Sequence, residues 1–215
     1  MKSLFVTGTD TGVGKTFVTC ALARRARELG KRVFAFKPIE TGCPRMGDLL
    51  VGEDQTLLVE AAGGWQTGEL RGVYQFVMPA APLVAAAAES RTIDVSRIVS
   101  TFDEGSKNRD LVLVEGAGGW RVPLVENIDM GALAARLSLP VVVVARAGLG
   151  TINHSLLTLE AIERDGLRIE ALVLSRRLED DPYLVQTNVE EISKQWQGPI
   201  VTFSGALASL DPLIV

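Results

Sequence analysis

The chain has 215 residues, 47% of them hydrophobic and 22% charged, which suits one large globular domain with a substantial core. A formal net charge of -4 and the lack of a dense Lys/Arg block argue against a nucleic-acid footprint and leave small molecules or protein partners. The longest apolar stretches, such as 80–88 and 141–145, fall far short of the roughly 20 residues of a membrane span, and Met1-Lys2-Ser3-Leu4-Phe5-Val6 reads as a strand rather than a leader, so no membrane contact and a cytoplasmic location are expected.

Short runs rich in Val, Leu and Phe alternate with longer helical patterns, as in a parallel sheet covered on both faces, so the predicted fold class is α/β. In chain order, a strand over 4–7 leads into a helix over 16–29, whose Val18, Ala21, Leu22 and Ala26 share one face and which stops at Gly30. A second strand is predicted over 32–37, then helices over 54–62, 81–89 and 95–105. A strand over 111–115, a helix over 130–137, a strand over 140–145, a helix over 153–165, a strand over 169–175, a helix over 188–196 and a strand over 199–202 complete the pattern. The uncharged, Ala-rich 80–88 segment is expected to pack tightly as a helix. No repeat or low-complexity linker interrupts the chain, so 1–215 is read as a single domain. Cys20, in an apolar helical pattern, and Cys43, in a predicted loop, complete no zinc set and are expected to be unpaired.

Between the first strand and the first helix stands Gly8-Thr9-Asp10-Thr11-Gly12-Val13-Gly14-Lys15-Thr16. Glycines at such a junction let successive backbone N–H groups converge on phosphate oxygens, while a Lys supplies charge and a hydroxyl reaches Mg²⁺. Gly12 and Gly14 suit the backbone path, Lys15 the β- and γ-phosphates and Thr16 the metal, so a nucleoside triphosphate is the expected ligand. The usual motif places Gly where Thr9 stands, with Gly8 one place earlier, which makes this a longer variant of the loop.

In an open parallel sheet ligands bind beyond the carboxyl ends of the strands. Lys37-Pro38-Ile39-Glu40-Thr41-Gly42 ends an apolar strand with a cation that either faces the same crevice as Lys15 or is merely solvated. Glu115 is delivered by a buried strand beside the glycine turn Gly116-Ala117-Gly118-Gly119, where it serves either a hard cation opposite Thr16 or a cap or salt bridge. Asp54, near the start of a predicted helix, reads as an N-cap or a ligand. Asn153 and His154 follow Gly148-Leu149-Gly150-Thr151 at another helix start suited to a carboxylate, with His154 read as a first-turn surface residue. Arg121 and Arg146, near strand ends, permit anion binding without demanding it.

Taken in order, residues 8–16, Lys37-Pro38 with Thr41-Gly42, Glu115-Gly116-Ala117-Gly118-Gly119 and 150–154 resemble the dethiobiotin synthetases, over roughly residues 1–175. Tyr74, Phe76, Pro79 and Pro82 fit the same pattern. The resemblance implies a P-loop NTPase-like fold and an ATP- and Mg²⁺-dependent ligase that closes a ureido ring on 7,8-diaminopelargonate with CO₂ or bicarbonate, through a carbamate and a carbamic-phosphoric anhydride. It implies that Lys37, Lys15 and Thr11 are catalytic and that Thr16, Asp54 and Glu115 hold the metal. Asp10, Thr11, Gly12, Val13, Gly14, Lys15, Thr16, Glu115, Gly118 and Ser175 would contact the nucleotide. Lys37 and Thr41 would meet the substrate, and Gly150, Thr151 and Asn153 would grip its distal carboxylate across a homodimer interface.

Two positions depart from the family pattern. Gly12 stands where many members carry an acid, and Ser175 where an Asn commonly reads adenine; a Ser lacks the paired amide contacts to a purine, so relaxed base preference is expected. Two other phosphate-loop classes share the fold. Amidotransferase-type ligases carry an additional glutaminase domain for which 215 residues leave no room. Partition and septum-positioning ATPases place a second Lys where Asp10 stands.

Overall fold

Successive side chains of the apolar runs point to opposite faces of one sheet, and both faces are buried. The structure, a computed structural model, describes residues 1–47 and 49–215. In chain order its elements are β1 (Lys2–Gly8), α1 (Lys15–Glu28), β2 (Val33–Phe36), β3 (Ile39–Thr41), β4 (Arg45–Met46), β5 (Leu49–Leu50), α2 (Glu53–Ala61), a 3-10 turn Gly68–Arg71 and β6 (Tyr74–Phe76). There follow α3 (Pro82–Ala88), α4 (Val95–Ser106), β7 (Leu111–Gly119), β8 (Pro123–Val125), β9 (Ile128–Asp129), α5 (Met130–Arg136), β10 (Val141–Arg146), α6 (Thr151–Arg164), β11 (Ile169–Ser175), α7 (Pro182–Gln195), β12 (Ile200–Phe203) and a 3-10 segment Leu207–Leu213.

Six strands form a parallel sheet in the order β12-β11-β10-β1-β7-β2, so the predicted P-loop NTPase-like α/β class is correct. Leu4, Val6, Ala35, Leu113, Val144 and Val173 face α1, α2 and the C-terminal 3-10 segment. Phe5, Phe34, Phe36, Val114, Val143 and Leu172 face the layer made by α3 to α7. The small Ala21, Ala23 and Ala26 of α1 pack against the first face. The second accommodates rings, with Phe34 stacked on Phe36 at 5.2 Å between centroids. A fully buried Phe contributes about 1.5–3 kcal/mol relative to an exposed one.

Several boundaries differ from the sequence reading. The predicted glycine turn after residue 115 is strand: β7 continues to Gly119, which pairs with Gly8, because the absent side chains let its backbone run beside the start of the phosphate loop. Glu115 therefore lies inside a strand, not at its end. α7 begins at Pro182 rather than 188, because Asp181 caps it by accepting from Tyr183 N and Pro182 occupies the first turn, where its missing N–H costs nothing. α6 begins at Thr151, with Gly150 as its N-cap. The Ala-rich helix is only half covered: Ala85 and Ala86 are buried while Leu83 and Val84 are exposed. Short pairs such as β3 with β6 escaped prediction because runs of three residues carry no usable periodicity. Cys20 and Cys43 are both free and buried.

Candidate active site

β1 ends in the middle of the sheet, and Thr9 N donates to Val144 O at 2.9 Å, which ties the loop to β10. Gly14 has φ 102°, a left-handed conformation that a side chain resists, and it turns the loop into α1. A Cβ at Gly8 would meet Lys15 Nζ at 3.0 Å, so the lysine lies folded back over the loop. Its ammonium donates to Asp10 O at 3.1 Å, and Asp10 Oδ1 accepts from Thr11 N at 2.6 Å. Burial pulls the Lys15 pKa below the ordinary lysine value, with Lys37 adding to the effect and Glu115 opposing it.

β7 lies between β1 and β2, so Glu115 comes under the loop from one strand while Lys37 arrives from the end of the next. Glu115 is fully buried, and its Oε1 accepts both the Thr16 hydroxyl at 2.9 Å and the Lys37 ammonium at 2.9 Å. Lys37 also donates to Asp54 Oδ2. Burial opposes charge on Lys37, but Glu115 and Asp54 outweigh it and hold the ammonium protonated well above the usual lysine range. Asp54 is thus a partner of Lys37 and not the helix cap, which is Gly52.

Thr16, Glu115 and Asp54 together fit Mg²⁺. All three donate hard oxygens, and Glu115 Oε2 is buried with no hydrogen-bond partner among the described residues. An orphaned buried carboxylate oxygen is costly, and a cation would satisfy it. Among the described residues no group of three or more His, Cys, Asp or Glu stands together as a metal site. Two carboxylates and a hydroxyl are enough when phosphate oxygens and water complete the shell.

A cavity of about 620 Å³ opens over this cluster. One wall is the loop, with Thr11, Gly12, Gly14, Lys15 and Thr16; Lys37, Thr41 and Asp54 face it, and Gly118 with the 79–82 segment closes the side. A second cavity of about 530 Å³ lies on the other side of the loop and shares Gly12, Gly14 and Phe17. Val13, Ser175 and three arginines, Arg146, Arg176 and Arg177, line it further. Phe17 packs on the buried Phe203 with ring centroids 5.0 Å apart and the rings tilted at 38°, and its own ring gives this cavity an aromatic wall suited to a base.

The structure therefore gathers most of the predicted site residues, but not all. Gly150, Thr151 and Asn153 line neither cavity, and the Thr151 side chain is buried with its hydroxyl 3.3 Å from Ser155 Oγ. Asp10 and the fully buried Glu115 also lie outside both linings. Arg121 pairs with Asp129 and Asp165 away from the loop. The sequence assigns no role to Phe17, Glu40 or Gln55. The aromatic wall could have been suspected from Phe17 following Thr16, but nothing local marks Glu40 or Gln55.

Comparison with known proteins decides among the phosphate-loop classes. A family model described as an AAA domain matches residues 2–213. An ATP-dependent dethiobiotin synthetase BioD of Anaeromyxobacter dehalogenans (strain 2CP-C) is 46% identical over 196 residues, covering 90% of this chain and 85% of the relative. The chain belongs to the dethiobiotin synthetase family. A further dethiobiotin synthetase, from Aromatoleum aromaticum, is 37% identical over 214 residues, covering 98% of this chain and 93% of its own. As a member of that family the chain is an ATP-dependent ligase. Solved structures agree on the fold. The MinC:MinD cell division protein complex of Aquifex aeolicus gives a TM-score of 0.55 at 17% identity, covering 99% of this chain and 85% of that one. MinD of Pyrococcus horikoshii gives 0.53 at 16% identity, covering 97% and 86%. Such low identity speaks for shared architecture alone, so the septum-positioning class gains nothing from it.

Proposed function

We propose that the chain binds Mg·ATP on the phosphate loop and closes the ureido ring of 7,8-diaminopelargonate with CO₂, giving dethiobiotin, ADP and phosphate. The observation that carries this reading is the position of Lys37, held between Glu115 and Asp54 beneath a cavity whose opposite wall is the loop. In the first step a substrate amine takes up CO₂ as a carbamate. A carbamate oxygen attacks the γ-phosphorus, the bond to the β-phosphate oxygen breaks, and a carbamic-phosphoric anhydride forms. The second amine then attacks the carbonyl carbon, phosphate leaves, and the ring closes.

Phosphoryl transfer is catalysed chiefly by positioning and charge neutralisation. Lys15 folds over the loop where β- and γ-phosphates would lie, and Lys37 places a second permanent cation on the substrate side. Thr11 and Thr41 line the space between and offer hydroxyls to the anions. Mg²⁺, held by Thr16, Glu115 and Asp54, would supply charge for the γ-phosphoryl group. The formal charges of Lys15, Lys37, Glu115 and Asp54 cancel, so the site relies on the divalent ion to become net positive towards a triphosphate.

Two copies of the chain would complete the site. Gly150 and Asn153 are exposed at the start of α6, beside the apolar Leu149 and Leu157, which are 94% and 59% exposed. They would take the distal carboxylate of substrate bound in the partner subunit, with Thr151 contributing backbone because its hydroxyl is turned inward. The buried free thiols suit a reducing compartment, and the cytoplasm is the proposed location. Among the described residues no helix is long and apolar enough to cross a membrane.

The test is phosphate release from Mg·ATP with and without 7,8-diaminopelargonate and bicarbonate, with mass spectrometry of the product. Release that needs both co-substrates and yields the cyclic urea is expected. Release indifferent to the diamine would overturn the assignment in favour of a nucleotide switch.

A further inference from the structure

Glu40 is a buried carboxylate, 8% exposed, whose two oxygens both point at the first turn of α2. Its Oε1 accepts from Asp54 N at 3.0 Å and its Oε2 from Gln55 N at 2.9 Å. The helix has no side-chain cap of its own, since Gly52 stands at the N-cap. A residue of β3 thus caps it from outside, and its charge also suits the positive end of the helix. Gln55 answers in the opposite direction. Its amide nitrogen donates to Lys37 O at 3.0 Å and to Tyr74 O at 3.2 Å, while its oxygen accepts from Gln75.

Two close approaches show that this reciprocal clasp is built into the backbone. A Cβ at Gly52 would lie 2.6 Å from Glu40 Oε2, and one at Gly72 would lie 2.0 Å from Gln55 Nε2. Glycine at both positions makes room for the two polar side chains. Asp54, by contrast, sits at the helix start with its side chain 35% exposed, and among the described residues its one ion-pair partner is Lys37. Its placement depends on the backbone beneath it.

We propose that Glu40 is a positioning residue which, clasped with Gln55, fixes the Asp54 carboxylate against Lys37 and so sets the geometry of the divalent-cation site. The inference rests on the reading of Asp54 as a metal ligand. The clasp joins the two segments that must keep register, because Gln55 holds the backbone of Lys37 while Glu40 holds the backbone of Asp54. Partners that orient ligands in this way are typically worth about 10- to 100-fold in metal affinity.

The experiment is calorimetric titration of Mg²⁺ into the full chain saturated with a non-hydrolysable ATP analogue, for the parent, Glu40→Ala, Glu40→Gln and Asp54→Asn. Glu40→Ala is expected to weaken Mg²⁺ about 10- to 100-fold, and Glu40→Gln by less, since its one oxygen keeps one of the two bonds. Nucleotide affinity in EDTA should stay at the parent value for both. A simple helix cap would lower the melting temperature and leave Mg²⁺ affinity alone, so a folded Glu40→Ala protein within twofold of the parent, beside a weakened Asp54→Asn, overturns the proposal. Unchanged Mg²⁺ affinity in Asp54→Asn would instead remove the metal-ligand reading of Asp54, and the proposal with it. If Glu40→Ala does not fold, Glu40→Gln decides by the same criterion.

Discussion

Lys37 Nζ and Glu115 Oε1 lie 2.9 Å apart although 78 residues separate them in the chain, and the same carboxylate oxygen accepts the hydroxyl of Thr16. One buried acid thereby links the phosphate loop to the lysine that follows β2. Lys37→Ala removes the cation and leaves two carboxylates facing each other. Diamine-dependent turnover is expected to fall by more than a hundredfold, on the order of 3 kcal/mol of transition-state stabilisation. A steady-state assay showing turnover within about tenfold of the parent would refute that role.

Glu115→Gln keeps the volume of a fully buried side chain while removing its charge. Turnover should drop at least about a hundredfold as metal binding is lost, whereas ADP affinity in EDTA should remain near the parent value. Calorimetry with and without Mg²⁺ separates the two effects, and equal losses in both conditions would point to a collapsed loop instead.

Ser175 lines the second cavity beside Gly14 and offers one hydroxyl to whatever base enters. Discrimination of ATP over CTP, GTP and UTP is expected to stay within about tenfold, the worth of roughly one hydrogen bond. A competition titration in which ATP wins by a far larger factor would show that other groups in the cavity read adenine.

Gly105 of α4 packs on the ring of Phe34, and a Cβ there would lie 2.2 Å from Phe34 Cζ. Gly105→Ala must push apart a ring stacked on Phe36 and tilted against Trp65. The expected cost is about 1–3 kcal/mol, from overpacking. Thermal or denaturant unfolding measures it; a stabilised variant would mean that α4 shifts freely.

Burial pushes the Cys20 thiol up to about 12 and the Cys43 thiol to about 11, from an ordinary 9.0. A raised folded-state pKa means the unfolded chain ionises first, so the contribution to stability is full below pH 9 and is lost as pH rises through 9 towards 12. Denaturant midpoints should fall over that window in the parent and fall less in Cys20→Ala. Both thiols should also resist Ellman's reagent at pH 8 until the protein unfolds; rapid reaction of the native protein would contradict their burial.

The phosphate loop was legible because its parts are contiguous: glycines at 12 and 14, then Lys15 and Thr16 at a strand-to-helix junction. The sheet strands were legible for a related reason. Doubly buried parallel strands read as unbroken apolar runs, as in Val141-Val142-Val143-Val144. Glu115 and Lys37 could be singled out as charges attached to such runs, but not paired. Glu40 and Gln55 were unreadable, because their hydrogen bonds join segments 14 to 20 residues apart, across short strands and a helix, and such contacts leave no period in the local sequence.

By itself, then, the sequence determined the strand–loop–helix unit that cradles phosphate, the alternation of parallel strands and helices, and the identity of the charged residues carried in or just beyond the apolar strands. Those features depend on neighbours within one or two turns of chain. Tertiary structure decided which charges meet. Inserting β7 between β1 and β2 brings Glu115 under Thr16, 99 residues earlier, and beside Lys37. Strand order is fixed by the packing of whole layers, and that long-range competition of buried surfaces leaves no local mark on the residues it brings together.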